Sequence, residues 1–179
     1  MNQLKSKLSC LAYDHDYDVL LLQGLPGSGK SSFAKQINQK YPYAVVVSAD
    51  DEQINQKYPY AVVVSADDEH INAEGKYEFK VENLKSAHDM CFLKYLEAFQ
   101  DCASLILVDN TNTSYEELLP YVRAAQAYGY NFKIVYFPCS VVDSYKRNVH
   151  GVPVESIKRM DQRLKQFHQD PPKDWTIVS

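Results

Sequence analysis

An octapeptide near the start of the chain, Gly24-Leu25-Pro26-Gly27-Ser28-Gly29-Lys30-Ser31, fits the pattern G-x-x-x-x-G-K-[ST]. It restricts the fold more than any other stretch, because such a loop works only between the end of a buried strand and the start of a helix. Both flanks comply. Asp18–Gln23 carries the aliphatic run of a buried strand, and Ser31–Ile37 begins a helix. The glycines let successive backbone N–H groups turn inward toward one anion, and the helix N-terminus adds its own unpaired donors and partial positive charge. Gly24, Gly27, Ser28, Gly29, Lys30, Ser31 and Ser32 are therefore the expected nucleotide-binding residues. Lys30 reaches the terminal phosphates, and the Ser31 hydroxyl is a ligand for Mg²⁺.

After that helix the chain repeats itself. Residues 37–53 and 54–70 are a direct tandem pair, identical at sixteen of seventeen positions. A single pair is too few for a solenoid, which needs at least about three units. The expectation is a fold that needs one copy, with residues 37–53 surplus. The later copy, Tyr60–Asp67, is expected in the sheet, because the surplus then lies before the strand and away from the crevice. The spare Ala-Val-Val-Val would be left as an edge open to further pairing.

Further along, Glu82–Gln100 has an apolar helical stripe (Leu84, Ala87, Cys91, Tyr95, Ala98, Phe99). Ser104–Asp109 is a strand ending on a carboxylate. Ser114 and Glu117 form a capping box for a helix that stops near Gly129. Phe132–Phe137 is a strand and Ser140–Asn148 a helix. Pro153 opens a last helix with Ile157, Met160, Leu164 and Phe167 inward, and Pro171-Pro172 closes the folded part. Strands alternating with helices predict an α/β fold: a doubly wound parallel sheet of the P-loop NTPase, kinase-like type, with a C-terminal helical lid. The organisation expected is a polar leader (1–17), a domain over 18–170 and a tail over 171–179.

Bulk properties narrow the function. A net charge of −4 provides no global field for nucleic acid or membranes, so any polyanion site must be a local patch. No aliphatic run is long enough to span a bilayer. Cys10, Cys91, Cys102 and Cys139 lack metal-ligand spacing; reduced thiols in a cytoplasmic protein are expected. Asp14, His15, Asp16 and Asp18 fit a solvated turn better than a metal cluster.

Strand C-termini in such a sheet face the ligand crevice. Asp109 is placed there to hold Mg²⁺, with Asn110-Thr111-Asn112 as further hydrogen-bonding groups; a plain turn carboxylate is the alternative. An Asp-Asp pair ends the repeated strand, as Asp50-Asp51 or Asp67-Asp68. One of these carboxylates can take the proton of an acceptor hydroxyl, while a helix N-cap is the bland alternative. Asp67 is the favoured base. Lys146, Arg147, His150, Lys158, Arg159, Arg163 and Lys165 form a local basic region, from which a lid arginine could stabilise a transferring phosphoryl group.

Taken together, GLPGSGKSS, SADDEHIN with GKYEF, LVDNTNT, and RNVHGVP followed by IKRM resemble the P-loop kinase modules of NEDD-binding-protein-like ATPases, relatives of the phage-type polynucleotide 5′-hydroxyl kinases. The resemblance runs from Val19 to Phe167. It implies phosphoryl transfer from ATP with Mg²⁺, Lys30 and Ser31 at the phosphates and metal, Asp67 as general base, Asp109 as the acidic residue of the third motif and Arg147 as the lid arginine. His70 departs from the pattern, standing where phage-type kinases place an arginine for the acceptor's phosphate, and the repeat lies outside the pattern. The expected partners are ATP and single-stranded nucleic-acid ends. A small-molecule kinase and a nucleotide-binding regulatory module with little turnover are the rival readings. A GTPase is disfavoured because the chain has no N-K-x-D sequence.

Overall fold

The computed structural model describes residues 18–40, 44–46, 61–67 and 84–179. Its central strand is β1, Asp18–Gly24, which feeds through the glycine loop into α1, Lys30–Lys40. There follow β2 (Ala44–Val46), β3 (Ala61–Val64), α2 (Leu84–Gln100), β4 (Leu105–Val108), α3 (Tyr115–Tyr128), β5 (Asn131–Phe137), α4 (Val141–Arg147), α5 (Val154–Gln169) and β6 (Ile177–Val178). The six strands lie in the order β2-β3-β4-β1-β5-β6, with every neighbouring pair parallel. The five-stranded core β3-β4-β1-β5-β6 is the parallel α/β sheet expected.

The alternation of a strand sends successive side chains to opposite faces, and each face has its own cover. Val19 and Leu21, Val62 and Val64, and Ile106 and Val108 point into a cluster with Cys91, Tyr95 and Phe99 of α2 and Leu118, Tyr121 and Val122 of α3. Leu22, Val63 and Leu107 point the other way, onto Ala34, Phe33 and Ile37 of α1. Both faces being dry explains why these strands are continuous aliphatic runs. Leu25 of the glycine loop packs with Ile157 and Leu164 of α5 in a third cluster. The lid is thereby anchored to the loop that it flanks.

Helix ends follow local chemistry. Ser114 caps α3 by accepting from the Glu117 N–H, and Gly129 ends the helix in a left-handed conformation. Ser140 caps α4 in the same way through Asp143 N–H.

The structure corrects three expectations. Both copies of the repeat enter the sheet: the later one is the inner strand β3, and the earlier one adds an outer parallel strand, β2. Identical residues pair with each other, Ala44 with Ala61, Val45 with Val62 and Val46 with Val63. Residues 47–60 connect them and meet the minimum of about a dozen that a parallel crossover requires. Residues 171–179 are not simply a tail beyond Pro171-Pro172, because Ile177 and Val178 pair with Ile134 and Val135 of β5, and Trp175 stacks on Tyr115. Cys91 and Cys139 are not in disulfides, but Cys102 is disulfide-bonded; cysteines scattered along a chain do not disclose pairing. The polar leader, Asp50-Asp51, Asp68 and His70 lie outside the described residues. No described helix is long and apolar enough to cross a membrane.

Candidate active site

The chain folds so that three adjacent strands, β3, β4 and β1, deliver polar groups to one rim of the sheet. From β1 comes the glycine loop. Gly27 has φ +69°, and a Cβ there would stand 2.9 Å from the backbone carbon of Arg147. Gly29 has φ +107°, with no atom within 4 Å of where its Cβ would be. Gly27 thus lets α4 close onto the loop, while the backbone at Gly29 stays open for an anion to approach.

Lys30 is only 6% exposed. Its ammonium donates to Gly24 O at 3.0 Å and Leu25 O at 2.9 Å, with Ser28 Oγ at 3.5 Å. Burial pushes its pKa down; Asp109 and then Asp67 oppose that shift by attraction. Asp109, just past β4, is pushed the opposite way by burial, and a hydrogen bond from Ser31 together with the Lys30 charge counters it. Two loop residues and two strand-end carboxylates therefore share one electrostatic neighbourhood. Among the described residues no group of three or more His, Cys, Asp or Glu is arranged as a metal cage. A cation here would rely on the Ser31 hydroxyl, Asp109 and phosphate oxygens, the hard-donor pattern of Mg²⁺ sites.

The rim is braced from beneath. Asn110 accepts from Ala66 N–H at 2.9 Å and donates to Tyr121 OH at 3.3 Å, joining the turn after β3 to α3. Ser65 Oγ donates to Asp109 O at 2.9 Å. Asn112, left-handed at φ 45°, donates to Leu22 O at 2.8 Å, while Gln23 returns a bond to Asn112 O at 2.9 Å. Asp67 stands on this braced turn with its side chain 56% exposed, 3.8 Å from His150. The N-cap alternative for the Asp-Asp pair concerns a helix over residues that lie outside the described ones, 68–83.

The lid presses from above. Ser144 Oγ donates to Pro26 O at 2.7 Å, and the Arg147 backbone meets Gly27. The positive charges of Arg147 and Lys30 both act on Cys139, whose thiol pKa burial nevertheless raises. The structure thus brings together Gly24, Gly27, Ser28, Gly29, Lys30, Ser31, Asp67, Asp109 and Arg147, and Ser32 follows on the first turn of α1. The basic region is less open than its composition suggests. Lys158 pairs with Glu155, Lys165 with Asp161, and Arg163 with Glu117. Glu117 in turn accepts from Thr113 N–H at 2.6 Å, which ties Arg163 to the loop after β4.

Gln23, Ser65 and Ser144 escaped the sequence reading as site residues, and His150 entered it only as a member of the basic region. Ser144 gave no signal, since only docking of α4 makes it a donor to the loop. Gln23 could have been noticed as a polar residue ending a buried strand.

Replacing Gly27 with alanine should weaken nucleotide binding. The left-handed backbone alone costs roughly 1–2 kcal/mol with a Cβ, and the Arg147 backbone has to retreat as well. A nucleotide titration of the variant against wild type reads the loss; equal affinities would refute the packing argument.

A family model described as an AAA domain matches residues 19–166. The human NEDD4-binding protein 2 is 31% identical over 157 residues, which cover 86% of this chain; the chain spans 8% of that protein's length. Among solved structures, a chain of the Pnkp1/Rnl/Hen1 RNA repair complex superposes with TM-score 0.60 at 19% identity, over 88% of this chain and 47% of its own. The Mycobacterium tuberculosis APS kinase CysC, in complex with AMPPNP and APS, gives TM-score 0.52 at 19% identity, over 83% of this chain and 76% of its own. At such identities the structural likenesses establish the fold.

Proposed function

This chain belongs to the AAA domain family, as a P-loop kinase-like module, and on that premise we propose that it transfers the terminal phosphoryl group of ATP to the 5′-hydroxyl of a polynucleotide. The observation that carries the reading is the convergence of Lys30, Ser31, Asp109 and Asp67 on the ends of three neighbouring strands. Phosphoryl transfer asks a protein mainly for positioning and charge, and these residues offer both. The glycine-loop N–H groups and the α1 N-terminus hold the phosphates. Lys30 supplies fixed positive charge where negative charge develops, and Arg147 approaches from the lid. Ser31 and Asp109 would hold Mg²⁺, which when bound neutralises phosphate charge. Asp67 accepts the hydroxyl proton as the new O–P bond forms and the bond to the departing ADP breaks.

The acceptor reading rests on the basic face of α5. A groove of about 510 Å³ there is lined by Ser156, Arg159, Met160, Gln162, Arg163 and Gln166. The ion pairs of Lys158, Lys165 and Arg163 favour the second reading, a small-molecule kinase, because they leave less charge for a backbone. Salt separates the two. Two or three phosphate contacts on a single strand predict a log–log slope of about −1.4 to −2. The test offers labelled ATP to a panel of 5′-hydroxyl oligonucleotides, nucleosides and sugars, then repeats the positive reaction at rising salt with the Arg159→Ala/Arg163→Ala variant. Labelled oligonucleotide with that slope, flattened in the variant, supports the polynucleotide acceptor. Label on a nucleoside or sugar alone, or a flat profile, moves the assignment to the small-molecule kinase. ATP binding without any labelled acceptor returns it to a regulatory module.

A further inference from the structure

We propose that His150 is a positioning residue for Asp67, and that through it the aim of the base depends on the seating of the lid on the glycine loop. The inference rests on the reading of Asp67 as the base. His150 Nε2 faces Asp67 Oδ2 at 3.8 Å across the gap between the lid and the sheet, with the histidine side chain 35% exposed. Its own place is fixed from the loop side. Ser144 binds Pro26 O at 2.7 Å, and the α4 C-terminus rests on Gly27. Asn148, which caps α4, folds the following turn by donating to Val152 O at 2.8 Å and accepting from His150 N–H at 3.2 Å. A continuous set of contacts thus runs from the phosphate-binding loop, through α4 and one short turn, to the imidazole.

At the other end, Ser65 Oγ accepts from the Asp67 N–H at 3.3 Å, and the Asp67 side chain is 56% exposed on that turn. A base must lie within hydrogen-bond reach of the proton it takes, and a misplacement of about 1 Å can cost around a hundredfold in rate. A neighbour that biases one carboxylate orientation therefore acts on turnover and leaves nucleotide binding alone. This arrangement readies the base only when the lid is down on the loop that holds the phosphoryl donor.

The test is a double-mutant cycle read as kcat and KM. His150→Ala should lower kcat about tenfold, within the range of couplings between neighbouring residues, with KM for ATP unchanged. His150→Gln, which keeps a polar side chain facing the carboxylate, should recover most of the loss. In an Asp67→Asn background, adding His150→Ala should change kcat less than about twofold, because nothing is left to aim. An inactive Asp67→Asn enzyme beside a fully active His150→Ala enzyme overturns the inference and leaves the base reading intact. So do losses that multiply in the double variant. Full turnover by Asp67→Asn alone overturns both.

Discussion

Lys30→Ala should remove phosphoryl transfer while leaving a folded protein. The ammonium stands 2.9–3.0 Å from two loop carbonyls, next to the open backbone of Gly29. It is the loop's one side-chain cation. Removing one donor aimed at transition-state charge costs about 10²–10³ in kcat, and here a full charge goes with it. The folding cost is of another kind: two carbonyls lose a partner, worth about 1–3 kcal/mol for each that stays dry. Lys30→Met separates the effects by keeping the stem packed. Both variants should melt cooperatively and neither should turn over. Native-level phosphorylation by folded Lys30→Ala protein would remove the basis for the kinase assignment.

The second large effect lies in the repeat. Asp67→Asn should lower turnover by about 10²–10⁴, the usual contribution of a positioned base, and Asp50→Asn should not. Asp67 follows β3, which pairs directly with β4, the strand just before Asp109. The earlier copy enters as β2, one strand further out, and strands are spaced about 4.8 Å apart. Deleting residues 37–53 should also preserve activity, since β3, β4, β1, β5 and β6 all remain. Loss of activity in Asp50→Asn alone would reverse the assignment of the two copies.

How much of this was legible depends on how local each cause is. The strand–loop–helix around Lys30, the Ser114 cap and the stop at Gly129 follow from residues within a few positions of each other. Asp109 was legible because it follows an aliphatic run. By contrast, the entry of β2 depends on an unpaired edge on β3, which no periodicity in the sequence reveals. Ile177-Val178 is too short to carry an alternating pattern, and its pairing depends on the exposed edge of β5. The lid contacts of Ser144 and His150 join residues far apart in the chain, so they emerge only once α4 has docked. The basic region was visible as composition, yet the partners that occupy Arg163, Lys158 and Lys165 were not.

The pairing of β2 with β3 has a consequence for how such a chain can change length. Ala44–Val46 matches Ala61–Val63 at the same heights along the sheet, so the outer strand is a translated copy of its neighbour. Translation sideways moves nothing at the crevice. β2 lies three strand spacings from β1, about 14 Å away, and the linking residues, 47–60, come before the copy that holds Asp67. Seventeen repeated residues thereby become width at the margin. The flank beyond β3 is a place where the sheet can widen while β1 and β4, which lead to Lys30 and Asp109, keep their own pairing.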